Sequence, residues 1–332
     1  MPEKWWGKHD GIDFPHLVIS QQFDRDHLET LFKLVSILKK EVEKGVKTDW
    51  LYSKIIATLF YEPSTRTRFS FETAAKRLGA DVISSENAAK FSSAVKGEVL
   101  PDTIEIMSKM ADAIVMRHPE TGSAKVAAMV RGASPIINGG DGKGQHPTQA
   151  LLDIFTIREH FGAVDNLRVV MVGDLKHGRT VRSLAYMLSK FKNVKITFVA
   201  PESVQMGDDI RQHLTENKVF WREEGKLIKA VSKADVVYMT RYQLERAESD
   251  EEKKLLEAAK RTHIMTPKVA SEMPKNSIIM HPLPRIEEIS HSVDRLRRAY
   301  YFKQAANGIP IRMAILLMIL NPHKAQELLN GD

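Results

Sequence analysis

The chain has 332 residues, 43% of them hydrophobic, which is enough to bury the cores of two domains. It contains no cysteine, which excludes disulfides, iron–sulfur clusters, thiolate zinc sites and a cysteine nucleophile, and favours a reducing, cytoplasmic location. The net charge of +7 comes from 49 dispersed basic residues against 42 acidic ones, without a basic stripe interleaved with aromatics. The charge pattern therefore favours small anionic ligands over nucleic acid.

The N-terminal residues 1–16 are polar and aromatic, and we assign them no role. They contain neither the apolar core of a signal peptide nor a transit-peptide composition, so we expect neither export nor organelle import. No run approaches membrane-spanning length. Residues 311–320, bounded by Pro310 and Pro322, predict a buried helix.

The first half of the chain alternates between strand and helix patterns. Residues 21–42 predict an amphipathic helix, residues 55–60 a strand that Pro63 ends, and residues 69–78 a helix. The pattern continues with a strand at 82–83, a polar loop at 84–97, a helix at 101–110, a strand at 113–116, a helix at 123–132, a strand at 135–138 and a loop at 139–144. This alternation predicts an α/β domain with a parallel sheet and active loops at the strand C-terminal ends.

A helix at 146–160 precedes a second alternation. Strands are predicted at 168–173, 194–199, 235–239 and 277–280, with helices at 180–191, 225–232 and 249–261. We therefore predict two parallel-sheet domains flanked by helices, 1–150 and 151–302, with a C-terminal helix of about 303–332 returning to the first. The turn containing Gly173 and Gly178 lacks G-x-G-x-x-G, which argues against a dinucleotide cofactor. We predict neither a cofactor nor a metal.

Residues 64–68, Ser-Thr-Arg-Thr-Arg, lie where a buried strand turns into a helix. Unpaired backbone N–H groups and the positive end of the helix dipole favour an anion there, and hydroxyls with guanidinium groups suit a phosphate. The alternative is a Ser/Thr helix cap beside two solvated arginines. The segment alone does not decide between them.

Other cationic or amide-bearing loops follow the predicted strands: residues 117–119, 146–149, 179–180, 240–243 and 281–285. Together with residues 64–68, they resemble the aspartate/ornithine carbamoyltransferase family, in order, over roughly residues 17–325. The resemblance implies a carbamoyl phosphate site, with its phosphate on Ser64, Thr65, Arg66 and Thr67. Thr67, Arg117 and His146 match the groups that polarise the carbamoyl oxygen as a tetrahedral centre forms.

The resemblance further places the carbamoyl NH2 on Gln149 and on backbone carbonyls around Leu283 and Pro284, whose peptide bond is cis in relatives. By themselves, Arg117 could be a surface charge and His146 a helix cap. We expect His146 to act as a neutral hydrogen-bond donor, with the leaving phosphate accepting the proton.

For the acceptor, Arg179 and Arg241 match residues that bind the two carboxylates of aspartate, with Thr180 and Gln243 assisting. Ornithine-specific relatives carry Cys where this chain has Pro282. The expected reaction converts carbamoyl phosphate and L-aspartate into N-carbamoyl-L-aspartate and phosphate, an early step of de novo pyrimidine biosynthesis. The alternatives are transfer to another amine such as ornithine, and a catalytically silent binding paralogue.

The loop at 84–97 carries a further implication. Ser92 and Lys96 match residues that, in the family, reach into the active site of a neighbouring subunit, and Lys96 also matches a catalytic, aspartate-binding role. The Gly97-Glu98 flank supports this over a solvated lysine. We therefore expect a homotrimer with shared sites, with no nucleic-acid or membrane partner, while attachment of regulatory chains is left open.

Overall fold

The computed structural model describes residues 4–87, 97–247 and 249–331. The chain divides into two compact units, residues 1–152 with 307–332, and residues 153–306. Each unit contains one parallel sheet flanked by helices, which confirms the predicted fold class.

The sheet of the first unit has four parallel strands in the order β2-β1-β3-β4. They are β1 (Ile55–Phe60), β2 (Asp81–Glu86), β3 (Ala113–His118) and β4 (Ile136–Asp141). In β1 every residue after Ile55 is buried, as its apolar run predicts. The register places Phe60 of β1 beside Arg117 of β3, so the two strands end together.

Among the described residues up to 161, the helices are α1 (Arg25–Glu43), α2 (Thr65–Arg77), α3 (Leu100–Met107), α4 (Ser123–Ala128) and α5 (Pro147–Phe161). Helices α12 (Gly308–Leu320) and α13 (Pro322–Asn330) complete the first unit. α12 contacts both α1 and α2, and almost all of its side chains are buried, including that of Arg312.

Among the described residues, no single helix is long and apolar enough to cross a membrane. By length and composition alone, Tyr301–Leu320 taken together with Pro322–Asn330 passes the same test, but this pair bends by 119°.

The sheet of the second unit has five parallel strands in the order β7-β6-β5-β8-β9. They are β5 (Arg168–Val172), β6 (Lys195–Val199), β7 (Phe220–Glu223), β8 (Val236–Met239) and β9 (Ile278–Met280). The helices are α6 (Arg179–Leu188), α7 (Asp208–Glu216), α8 (Leu227–Val231), α9 (Asp250–Thr262), α10 (Pro267–Ser271) and α11 (Tyr301–Ala306). Short 3-10 segments occur at Ser20–Gln22, Glu202–Val204, Leu244–Arg246 and His291–Arg295.

Several elements differ from their sequence-based predictions. α2 begins at Thr65, four residues before the predicted start at Phe69, because polar residues form its first turn. β4 extends to Asp141, into the predicted 139–144 loop. α7 and β7 were not predicted, since in α7 only Ile210 and Leu214 are buried. The predicted helix of 303–332 is interrupted, and α13 starts anew where the Asn321 side chain accepts from the Lys324 N–H.

Two glycines that follow helices offer a test of backbone packing. Gly45 after α1 and Gly79 after α2 both have positive φ, at 73° and 85°. A Cβ on Gly45 would meet nothing within 4 Å, whereas on Gly79 it would lie 2.7 Å from the Thr48 carbonyl oxygen and 2.8 Å from the Asp49 Cα.

We predict that Gly45→Ala lowers the free energy of unfolding by about 1 kcal/mol, the cost of a left-handed alanine. Gly79→Ala should lower it by about 3 kcal/mol, because backbone atoms must also move. Chemical denaturation of both variants measures the difference. Equal losses would show that the contact at Gly79 relaxes without cost.

Candidate active site

Both sheets contain a point where successive connections run in opposite directions. In the first sheet β2 lies beside β1 and β4 beside β3, so the chain leaves the adjacent pair β1 and β3 toward opposite edges. In the second sheet β6 lies beside β5 and β9 beside β8, which gives the pair β5 and β8 the same arrangement. Ligands of open α/β sheets bind outside the strand C-terminal ends at such points. Most of the predicted site residues follow these strands.

The segment after β1 forms the N-terminus of α2. Ser64 occupies the N-cap position, but its side chain makes no capping hydrogen bond to the helix. Instead, its Oγ accepts a hydrogen bond from Arg117 Nη1 at 3.1 Å. The structure therefore does not support the alternative in which this Ser merely caps the helix, and the first turn of α2 retains the N–H groups that suit an anion.

The two arginines of the 64–68 segment have different environments. Arg68 lies 3.2 Å from Glu72 and 2.8 Å from Glu86, and its side chain is only 15% exposed, so it is not a solvated charge. Arg66 forms no ion pair with any carboxylate of the described residues. Solvent reaches Arg66, yet desolvation by nearby protein atoms lowers its pKa. A bound dianion would oppose that shift, which makes Arg66 the better ligand for an anion.

Thr67, Arg117 and His146 come together around the start of α2. Thr67 Oγ1 lies 3.3 Å from His146 Nε2, and both residues are buried. Arg117 lies 3.4 Å from Glu62 in addition to its bond to Ser64, so its guanidinium is held from two sides. Three polar groups predicted to act on one carbonyl are thus grouped within the first unit.

Asp141 anchors the loop that carries His146. Its carboxylate accepts hydrogen bonds from the Gln145 N–H at 2.8 Å, the Gly122 N–H at 2.7 Å and the Asn138 side chain at 3.1 Å. Sequence reasoning missed this role, although an aspartate among glycines after a strand is a recognisable turn signal. Gln149, the predicted amide ligand, lies at the start of α5 and donates its N–H to the His146 carbonyl at 3.0 Å.

In the second unit, Arg179 and Thr180 form the first turn of α6, which Gly178 precedes without a capping side chain. Arg241 and Gln243 follow β8 in an irregular segment. The Arg241 guanidinium pairs with Glu245, four residues later, a partner that sequence reasoning missed although its i,i+4 spacing is visible. Both predicted carboxylate-binding pairs therefore lie after the adjacent strands β5 and β8.

The turn after β9 carries Leu283 and Pro284, whose peptide bond is cis, with Leu283 at a φ of 57°. The Leu283 N–H donates to His281 Nδ1 at 2.7 Å, so Nε2 carries the ring proton and donates to Glu288 Oε1 at 2.8 Å. Burial acts to raise the pKa of Glu288, but the hydrogen bond from His281 and those from the neighbouring backbone outweigh it and lower the pKa. Glu288 is thus an ionised acceptor that fixes the His281 ring under the turn.

Two predicted residues, Ser92 and Lys96, lie outside the described residues, and the structure says nothing of their positions. Within the described part of the chain, no group of three His, Asp or Glu side chains is arranged to hold a metal ion.

Comparison with known proteins covers both units. Residues 15–159 match the family model for the aspartate/ornithine carbamoyltransferase carbamoyl-P binding domain, and residues 165–319 match that for its Asp/Orn binding domain. The chain is 51% identical over 309 residues to chloroplastic aspartate carbamoyltransferase of Arabidopsis thaliana, covering 93% of this chain and 78% of the relative.

Two solved structures are also similar. The catalytic subunit of M. jannaschii aspartate transcarbamoylase superposes with a TM-score of 0.84 at 42% identity, covering 93% of this chain and 99% of that one. Aspartate transcarbamoylase from Trypanosoma cruzi in complex with carbamoyl phosphate and aspartate gives a TM-score of 0.85 at 35% identity, covering 92% and 95%.

We predict that Arg66→Ala weakens binding of inorganic phosphate at least about 100-fold, because a dianion loses its charged, forked partner. Arg68→Ala, the matched control in the same helix, should lower thermal stability but weaken phosphate binding less than about five-fold, because Arg68 is occupied by Glu72 and Glu86. Calorimetric titration with phosphate measures both. Equal losses in the two variants would contradict the assignment of Arg66 as the anion ligand.

Proposed function

The chain belongs to the aspartate/ornithine carbamoyltransferase family, and we propose that it transfers the carbamoyl group of carbamoyl phosphate to the amine of L-aspartate. The products are N-carbamoyl-L-aspartate and phosphate, an early step of de novo pyrimidine biosynthesis. The observation that carries the proposal is the grouping of Thr67, Arg117 and His146 beside a helix N-terminus on which Arg66 pairs with no carboxylate of the described residues.

This grouping suits a substrate that is a phosphate dianion next to a carbonyl. The first-turn N–H groups of α2 and Arg66 bind the phosphate. Thr67, Arg117 and His146 donate hydrogen bonds to the carbamoyl oxygen, whose negative charge grows as the aspartate nitrogen attacks the carbon. The tetrahedral intermediate then collapses, the bond from carbon to the bridging oxygen breaks, and phosphate leaves.

The amine must also lose a proton during this step. We infer that His146, which is buried and lies 3.3 Å from the Thr67 hydroxyl, acts as a neutral hydrogen-bond donor in this step. A neutral imidazole can donate a hydrogen bond to the carbamoyl oxygen, and it does not have to accept the proton of the amine. The departing phosphate, which is more basic once the bond has broken, takes the proton.

The second unit supplies the residues that bind the acceptor, aspartate. Arg179 at the start of α6 and Arg241 after β8 bind the two carboxylates of aspartate, with Gln243 completing the site around Arg241. Ornithine carries one carboxylate and a terminal ammonium, so one of the two guanidinium groups would face a like charge in place of a carboxylate. The residues present therefore favour aspartate over ornithine.

The direct test measures product formation from carbamoyl phosphate with aspartate or ornithine as acceptor. We expect N-carbamoyl-L-aspartate, and citrulline formation at least about 100-fold slower. Preferential citrulline formation would identify the other branch of the family, and no product with either amine would favour a silent binding protein.

Arg241→Ala should raise the KM for aspartate by about 50-fold, because one carboxylate loses its forked partner, while phosphate affinity stays within two-fold. Arg241→Lys is the control for charge, and it should fall between the alanine variant and the unaltered chain because a lysine lacks the fork. Steady-state kinetics at saturating carbamoyl phosphate gives the KM. Parallel loss of phosphate affinity would point to a folding defect or to the wrong unit.

We propose further that the chain forms a homotrimer in which Lys96 acts in the site of a neighbouring subunit. A mixed cyclic trimer of Lys96→Ala and Arg66→Ala chains then contains one interface where both intact residues meet. Random reassembly of an equal mixture should give mixed trimers in about three cases of four, each with one intact site of three, and so restore about a quarter of the activity.

Each variant reassembled alone is the control and should remain inactive. If mixing restores nothing although mixed trimers form, Lys96 acts within its own chain or has no catalytic role.

A further inference from the structure

A buried tyrosine separates the two residues assigned to one aspartate carboxylate. Tyr242 is 5% exposed, while Arg241 and Gln243 on either side are half-buried. The Tyr242 hydroxyl lies 2.6 Å from His263 Nδ1. The Tyr242 side chain is therefore turned inward, while the side chains of Arg241 and Gln243 stay partly exposed, although the segment belongs to no helix or strand.

His263 closes the C-terminal end of α9, where its N–H donates to the Ala259 carbonyl at 2.8 Å. Its Nε2 faces the Gly225 carbonyl at 3.4 Å, and a carbonyl can only accept, so Nε2 carries the proton and Nδ1 accepts from the Tyr242 hydroxyl. Burial lowers the pKa of His263 despite the Gly225 hydrogen bond. Burial and the charge of Asp174 raise the pKa of Tyr242. Both groups therefore stay neutral near pH 7.

Besides this hydrogen bond, the segment is attached to the Val172 carbonyl through Thr240 and contains the Arg241–Glu245 ion pair. The Thr240 N–H still donates to the Val172 carbonyl at 2.8 Å, which extends the β8 pairing by one residue. Beyond it, the buried Tyr242 ring and its bond to His263 define the direction of the backbone. Because Arg241 and Gln243 are joined directly to Tyr242 through planar peptide bonds, holding the Tyr242 side chain in place restricts the directions that Arg241 and Gln243 can take.

We propose that the Tyr242–His263 hydrogen bond is a positioning contact that sets the affinity for aspartate, by holding the backbone from which Arg241 and Gln243 extend. Tyr242 does not touch substrate in this scheme. The inference rests on the proposed function, because it assigns the second substrate to Arg241 and Gln243.

The same unit contains a matched pair elsewhere. His160 Nδ1 lies 2.8 Å from the Tyr300 hydroxyl, and His160 Nε2 lies 2.9 Å from the Asn276 carbonyl oxygen. These hydrogen bonds join the same kinds of groups as those of Tyr242 and His263. His160, Asn276 and Tyr300, however, have no predicted role in binding. Loss of the Tyr300 hydroxyl therefore reports the general cost of deleting such a bond.

The experiment compares Tyr242→Phe with Tyr300→Phe, measuring KM for aspartate, kcat, phosphate affinity and thermal midpoint. Tyr242→Phe should raise the aspartate KM by about five-fold, the equivalent of one neutral hydrogen bond, with kcat and phosphate affinity within two-fold of the unaltered chain. Tyr300→Phe should leave all three ligand parameters within two-fold, whatever its thermal midpoint.

Variants at the partner residue complete the test. His263→Gln keeps an acceptor for the tyrosine hydroxyl and should retain much of the affinity, whereas His263→Leu should match Tyr242→Phe. The double variant Tyr242→Phe with His263→Leu should be no worse than either single one, because only one bond is lost.

An unchanged aspartate KM in Tyr242→Phe, or an equal rise in Tyr300→Phe, would overturn the proposal. So would failure of both Tyr242→Phe and His263→Gln to fold, since the pair would then serve stability alone. If the unaltered chain forms no N-carbamoyl-L-aspartate, the proposed function fails and this inference with it; if that product forms normally, only the positioning role is in question.

Discussion

Cations that must bind an anion have to be held in place without being neutralised. A carboxylate close to a guanidinium orients it but also competes with the ligand, and a guanidinium without such a partner must tolerate partial desolvation. Arg68 is paired with Glu72 and Glu86 and contributes to the architecture. Arg66, two residues earlier, has no such partner within the described part of the chain, and desolvation lowers its pKa, a shift that a bound anion would oppose.

Arg117 and Arg241 show an intermediate solution. Arg117 is 3.4 Å from Glu62 and donates to the Ser64 hydroxyl, so its guanidinium is oriented by one carboxylate and one neutral group. Arg241 is held by Glu245 on a partly exposed surface, where screening weakens the pairing. Other anchors act without an ion pair, because the Asp141 carboxylate accepts from backbone N–H groups and the His281 ring accepts from the Leu283 N–H. Each unit thus orients some of its polar groups through carboxylates without a predicted ligand contact: Glu62 and Asp141 in the first unit, and Glu245 in the second.

The sequence predicts the fold and the place of the site better than the contacts within it. Buried strands such as β1 are visible as apolar runs, and polar residues at the ends of parallel strands indicate a shared edge. The start of α2 was set four residues too late, because residues 64–68 contain no apolar position to show helical periodicity. The roles of Glu62 and Asp141 depend on how separate strand ends come together, which local periodicity does not encode. The roles of Ser92 and Lys96, which lie outside the described residues, stay predictions.

The return of α12 to the first unit makes that unit discontinuous in sequence, with residues 153–306 inserted between its parts. During synthesis, α1 and α2 leave the ribosome long before the apolar helix that they contact, so their inner faces lack a partner while the second unit is being made. The second unit is continuous and can fold as soon as its own residues emerge. The first unit to be translated is therefore the last to complete its core. A chain that ends before residue 308 would lack the helix that completes the first unit, although most of that unit lies at the other end of the sequence.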